Sequence, residues 1–288
     1  MTTVAFLGTG LMGAALAEAS ARRGDTVRAW NRTLAKAKAL EAFGVTACET
    51  AAAACQGAER VHIMLSDDAA VDATIAAILP ALPRGTFLVD HSTTSPAGTL
   101  ARAALVDAAG VAFVHAPVFM TPAMCREAKG MMLVAAPKDT FAHVEAALRA
   151  MTGKLSYLGE RRDLAAAHKL FGNAMIITIT AGLADVFTLA SALGIEAPAA
   201  HGLFNEFNPA GVIAYRGLAM SRGDYRAAFE LTMARKDLRL MIDSAAGRPL
   251  AALPAVAERM DALIGRGLGG EDLGVLSVDA VPAATSAT

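Results

Sequence analysis

Cysteine is scarce in this 288-residue chain: only Cys48, Cys55 and Cys125 occur, an odd number without C-x-x-C spacing. That excludes a disulfide framework and a thiolate zinc site, and it suits a reducing compartment, so the expected location is cytoplasmic. The six histidines stand singly, and no metal is expected. A net charge of -1, with no long block of lysine or arginine, gives no footing for nucleic acid or an anionic membrane surface. Long uncharged apolar runs are also few. Val4 to Ala17 lacks the positive segment that precedes an export signal. Ala174 to Ile195 is long enough to span a bilayer, but Asp185 in its middle costs about 2.5 to 3.5 kcal/mol on insertion scales. A helix buried between domains or subunits is expected there, since a helix apolar all round must be covered by something.

What the chain does have is concentrated at its beginning. Val4 to Leu7 is a short apolar run, followed by Gly8, Gly10 and Gly13 in G-x-G-x-x-G spacing, an Ala-rich helical segment, and a second apolar run from Thr26 to Trp30. Strand, glycine turn, helix and strand within about 30 residues form the context that a dinucleotide fingerprint requires. Gly8 permits the turn, Gly10 admits a pyrophosphate, and Gly13 lets the helix pack closely on the strand. The phosphates are expected over the free amides of the helix N-terminus, with Thr9, Leu11 and Met12 around them. At the end of the second strand a carboxylate would favour NAD. Here the place reads Asn31-Arg32-Thr33, with Lys36 a helical turn on. A guanidinium grips a 2′-phosphate through paired, charge-assisted hydrogen bonds, so the expected cofactor is NADP.

The remaining pattern is α/β to about Asp163. Helix is expected over Leu34–Phe43, Ala51–Gly57, Ala69–Leu79 and Ala97–Ala109. Strand is expected over Arg60–Leu65, Thr86–Val89, Ala112–His115, Met131–Ala135 and Leu155–Leu158, and the alternation implies a parallel sheet. Leu65 and Ser66, at a strand end, face the crevice, although Ser66 also suits a helix N-cap. In His91-Ser92-Thr93-Thr94-Ser95-Pro96, Ser95 reads as a cap and Thr93 as a ligand contact. From Leu164 onward helical periodicity dominates, and Ser277 to Thr288 reads as a frayed tail. The fold class is therefore an N-terminal Rossmann-type doubly wound sheet (1–163), followed by an all-α C-terminal domain (164–288) entered by one long helix.

Near the start of that helix stands Lys169, with Asn173 at i+4, so the two side chains lie within about 40° on one face. On an apolar helix such a pair carries a desolvation cost unless something receives it. One reading is a snorkelling lysine with a surface asparagine. The other is a proton donor beside a substrate anchor, the lysine pKa being lowered by partial burial toward what a general acid needs.

The motifs GTGLMG, NRT, VDHSTTSP, HAPV, AAHKLFGN and ARKDLRL, in this order, resemble the β-hydroxyacid dehydrogenase family, which includes 3-hydroxyisobutyrate dehydrogenase and tartronate semialdehyde reductase. The resemblance covers nearly the whole chain. It implies a Rossmann domain, a long interdomain helix, and a helical domain interlocked with a partner's in a homodimer. It also implies Lys169 as the catalytic lysine, Asn173 as the substrate-orienting amide, Thr93 beside the nicotinamide, and Lys236 and Asp237 as the Lys-Asp motif that closes the site on cofactor and substrate. The family's substrate loop, Asp-Ala-Pro-Val-Ser-Gly-Gly, stands here as His115-Ala116-Pro117-Val118-Phe119-Met120-Thr121. Phe119 has no hydroxyl to offer a carboxylate, and Met120 and Thr121 add bulk. Met120, Pro122 and Met124 resemble instead the loop of imine reductases, cousins of the same architecture that reduce cyclic or secondary imines with NADPH. The expected substrate is a small carbonyl or hydroxy compound, with an imine as the alternative. A protein that binds NADP without turnover is a third reading, against which the Lys169–Asn173 pair argues.

Overall fold

The computed structural model describes residues 2–284. In β1 (Thr3–Leu7), Val4 and Phe6 enter one buried cluster, and Ala5 and Leu7 enter another. A strand covered on both faces is a central, parallel strand. The chain continues through α1 (Leu11–Arg22), β2 (Thr26–Trp30), α2 (Leu34–Lys38), β3 (Thr46–Ala47), α3 (Ala51–Cys55), β4 (Arg60–Ile63) and α4 (Asp68–Ile78). It then forms β5 (Phe87–Asp90), α5 (Pro96–Ala108), β6 (Ala112–His115), β7 (Val118–Phe119), α6 (Pro122–Arg126), β8 (Met131–Ala135), α7 (Lys138–Arg149) and β9 (Lys154–Gly159). The sheet runs β3-β2-β1-β4-β5-β6-β8-β7, with β9 on β8. The chain leaves the β3 edge and crosses back to β4 beside β1, so a crevice opens over the C-terminal ends of these two strands.

Two local expectations are corrected. The sheet is mixed rather than parallel, because β8 runs antiparallel to both β6 and β7. The connection from β7 carries only the short α6, too little for a parallel crossover, so the chain returns hairpin-fashion. The helix expected over Leu34–Phe43 stops at Lys38 and resumes as a 3-10 turn at Glu41–Phe43, which Gly44 ends in the left-handed region at φ +82°. Behind the sheet, Glu18 of α1 is 4% exposed and receives both Arg22 and Arg126, tying α6 to the helix that follows the glycine turn.

The chain divides into two compact units between Asn173 and Ala174, ten residues beyond the expected boundary, because the first turns of α8 (Leu164–Ala192) pack with the sheet unit. The second unit adds α9 (Ala197–Gly202), α10 (Gly211–Ala214), α11 (Arg216–Met220), α12 (Leu231–Ser244) and α13 (Leu253–Gly265). Leu231, Leu238, Met260 and Leu263 lie at its core. Residues expected to fray are docked: Ala284 N–H donates to Gly223 O at 3.0 Å, and the Tyr225 hydroxyl donates to Val281 O. Thr285 to Thr288 lie outside the described residues.

The apolar stretch beyond Asn173 is helical, but among the described residues its first two turns, Ala174 to Thr180, are exposed. Met175, Ile176 and Ile179 are about half exposed and Ile177 is 68% exposed. Its one charge has a structural use. Asp185 is 2% exposed and accepts from the backbone N–H groups of Ala251, Ala252 and Leu253 at the start of α13. Burial opposes the charge, and the three donors together outweigh it, holding the carboxyl below its ordinary value. Asp185→Ala is expected to cost about 2 to 3 kcal/mol in urea unfolding, since three amides lose a charged acceptor. A change within about 0.5 kcal/mol would sink this account of the residue.

Candidate active site

The glycine turn is built by steric necessity. Gly8 has φ +97°, and a Cβ there would lie 2.2 Å from Met64 O; one on Gly13 would lie 1.9 Å from Gly8 O. Neither position admits any other residue. Gly10 is different, since a Cβ on it would meet nothing. Its bare backbone opens α1, whose N-terminal amides have no side-chain cap. They border a cleft of about 930 Å³ lined by Gly8, Gly10, Leu11, Met12 and Gly13 from the turn, by Asn31, Arg32, Thr33 and Lys36 beyond β2, and by Leu65 and Ser66 beyond β4. Uncapped amides, open glycine backbone and two cations fit a dinucleotide's pyrophosphate and a charged ribose substituent.

Within this group the roles differ. The Asn31 side chain accepts from Thr9 N–H at 3.0 Å and donates to Thr33 O at 3.2 Å, so it braces two loops to each other. Arg32 and Lys36 are exposed and free to meet a ligand. Ser66 does not cap α4: Asp67 does, accepting from Ala70 N–H, while the Ser66 hydroxyl donates to Asp67. The opposite wall was not foreseen. Glu49, Thr50 and Ala51 lead into α3, and Ala70, Ala73 and Thr74 come from α4. Apart from Glu49 their sequence signal was smallness, which is also what any helix packed on a sheet shows.

Beyond the cleft, the same sheet edge carries the loops after β5 and β6. Ser95 caps α5 as expected, accepting from Gly98 N–H. Asp68 receives the Ser95 N–H and hydroxyl together with Arg102. Ser92 and Thr94 are buried, and the Ser92 hydroxyl accepts from Leu65 N–H at 2.9 Å. Between them Thr93 is exposed.

Lys169 and Asn173 share a face of α8 at the next loop. Lys169 Nζ donates to Val118 O at 2.7 Å and lies 4.0 Å from the centre of the Phe119 ring. Burial pushes the ammonium below its ordinary value, and no carboxylate pairs with it among the described residues. Asn173 is half-buried, with no side-chain partner among the described residues. Phe119 fits because of a glycine: a Cβ on Gly172 would lie 2.3 Å from Phe119 Cζ. The bulk added to the loop is thus matched on the helix, a pairing invisible in the order of the residues. Met120 packs toward Cys125 and the core, and Thr121 caps α6 by accepting from Met124 N–H. Lys236 and Asp237, on α12 of the second unit, pair with each other at 2.8 Å.

A doubly wound sheet with an uncapped glycine turn at its switch point defines a dinucleotide-binding protein. Residues 3–159 match the family model described as the NAD binding domain of 6-phosphogluconate dehydrogenase, and the chain belongs to that family. It is an oxidoreductase. Over 86% of its length it is 26% identical to glyoxylate/succinic semialdehyde reductase 1 of Arabidopsis thaliana, covering 89% of that protein. A probable 3-hydroxyisobutyrate dehydrogenase of Mycobacterium bovis is 26% identical over 85% of this chain and 86% of its own. Among solved structures, a reductive aminase from Aspergillus terreus in complex with NADPH4, cyclohexanone and allyl amine superposes with a TM-score of 0.86, at 25% identity, over 97% of this chain and 99% of the other.

Proposed function

We propose that the chain reduces a small carbonyl compound with NADPH. The observation that carries this reading is Lys169: a half-buried ammonium, with no carboxylate partner among the described residues, held on a backbone carbonyl and an aromatic face. Arg32 and Lys36 hold the 2′-phosphate, the first amides of α1 hold the pyrophosphate, and Thr93 contacts the nicotinamide side. When bound, the reduced coenzyme supplies a hydride to the carbonyl carbon. Lys169 leaves Val118 O and gives a proton from Nζ to the carbonyl oxygen, so that hydride and proton together make the alcohol. Asn173 orients the substrate through its free amide, and Phe119 keeps water from one side of the ammonium. A second copy of the chain covers the apolar face of α8 in a homodimer.

A second reading is imine reduction, favoured by Phe119, which puts an aromatic ring at the substrate loop, and by the similarity to the reductive aminase. A fixed lysine cation disfavours a protonated iminium and suits a developing alkoxide, so carbonyl reduction is placed first. The test is NADPH oxidation against glyoxylate and succinic semialdehyde, neutral aldehydes, and cyclic imines. Turnover of aldehydes is the expected result. Turnover of imines alone would hand the site to the second reading, and tight NADPH binding with no turnover of any class would overturn both.

A further inference from the structure

Three histidines lie side by side inside the sheet unit, and the proposed reaction uses none of them. His62 is on β4, His91 follows β5 and His115 ends β6; each is at most 2% exposed. The His62 ring stacks on Phe6 and on His91. Their hydrogen bonds settle where the protons sit. A carbonyl can only accept, so His91 Nδ1, 2.7 Å from Ala116 O, carries a hydrogen. In a neutral ring its Nε2 is then bare, and it accepts from His62 Nδ1–H at 2.9 Å. His115 Nε2, 3.1 Å from Ser92 O, carries its hydrogen for the same reason.

The connections cross. His91 stands after β5 and holds the carbonyl of Ala116, after β6. His115 stands on β6 and holds the carbonyl of Ser92, after β5. One residue beyond Ser92 is Thr93, and two beyond Ala116 is Val118, whose carbonyl receives Lys169 Nζ. We infer that His91 and His115 form a reciprocal cross-brace that fixes these two loops against each other, and that they are positioning residues for Thr93 and Lys169. Ala116 O sets the tautomer of His91, and His91 in turn sets that of His62. The inference rests on the reading of Lys169 as the proton donor.

The two carbonyl bonds survive a second proton on either ring, but at His91 that proton would sit on Nε2 and face His62 Nδ1–H across 2.9 Å, so the observed pairing of His62 with His91 is that of neutral rings. Burial is the leading cause pushing all three rings below their ordinary value of 6.5. His91, Arg60 and Arg23 add to this at His62, and His115 adds to it at His91; the bond to Ala116 O and Asp90 pull the other way at His91, as do Asp90, the bond to Ser92 O and Asp68 at His115, where Arg102 opposes them.

Two measurements test the brace. In the full chain with NADP bound, the ring nitrogen signals of 15N-histidine-labelled protein are expected to show neutral rings near pH 7, protonated at Nδ1 in His62 and His91 and at Nε2 in His115. In kinetics, His115→Leu, which has no donor, is expected to lose about 10- to 100-fold in kcat with NADPH affinity within about threefold, as a small misplacement of catalytic groups does. His115→Gln can place an amide N–H where Nε2–H was, and it is expected to recover most of that loss. A His91 without hydrogen on Nδ1, a His115 without hydrogen on Nε2, or a glutamine variant no better than leucine would overturn the brace. Should the leucine variant not fold, the nitrogen signals of the parent decide alone. Failure of the Lys169 reading is seen separately, as kcat retained in Lys169→Ala.

Discussion

Lys169→Ala is expected to lower kcat for carbonyl reduction by about 10²- to 10⁴-fold, the usual worth of a positioned general acid. NADPH affinity should hold within about threefold, because Lys169 lies on α8, against the carbonyl of Val118, and not among the residues that line the nucleotide cleft. The pH dependence gives a second, independent readout. A general acid must be protonated to act, so kcat for reduction falls as pH rises through the lysine pKa. Burial has moved that pKa down from 10.5, so the decline begins at a lower pH than an exposed lysine would give. In Lys169→Ala the limb should vanish along with the rate. Lys169→Arg separates charge from proton, since a guanidinium keeps the cation over the Phe119 ring but does not release a proton at accessible pH. Its kcat should stay near that of the alanine variant. Full activity in the arginine variant would mean that Lys169 acts only as a fixed charge, and an unchanged alkaline limb in the alanine variant would place the acid elsewhere.

The legibility of this chain in its sequence was uneven for physical reasons. The glycine turn and its flanking strands were readable because their constraints are local: Gly8 and Gly13 are forced by backbone atoms within one β-α-β unit. Ser95 was readable as a cap because a hydroxyl before proline at a helix start has one main use. Phe119 was not readable in the same way. On the sequence it is a lost hydroxyl in a substrate loop; in the fold it is a ring seated on Gly172 beneath the Lys169 ammonium, and that relation spans fifty residues of chain and depends on tertiary packing. The three histidines were missed because each stood alone in sequence, and only the parallel register of β4, β5 and β6 brings them together. The antiparallel return of β8 was hidden because an apolar strand buried on both faces has the same composition in either direction. The apolar stretch of α8 was expected to be covered, and among the described residues Ala174 to Thr180 stay exposed.

Arg32→Glu is expected to reverse the coenzyme preference, lowering the ratio of kcat/KM for NADPH over NADH by about 100-fold or more, the worth of a paired, charge-assisted grip exchanged for repulsion. The argument turns on which side chains at the end of β2 are free. Asn31 is committed to Thr9 N–H and Thr33 O, so it holds the loops together and is not released for a ligand. Discrimination is therefore expected to fall on Arg32 and, a turn later, on Lys36, which line the cleft. A lysine offers a point charge without the planar fork, so Lys36→Ala should lower the same ratio by only about three- to tenfold. Both cations are exposed, so their grip is screened: raising salt from about 0.05 to 0.5 M shortens the Debye length severalfold and should weaken NADPH binding to the parent more than to Arg32→Glu. NADH binding should vary little with salt in either protein, since the uncharged ribose hydroxyl has no ion to lose. If Arg32→Glu left both the ratio and the salt response unchanged, the 2′-phosphate would have to be read by groups outside the β2 loop, and the assignment of Arg32 would fall while the glycine cradle stood.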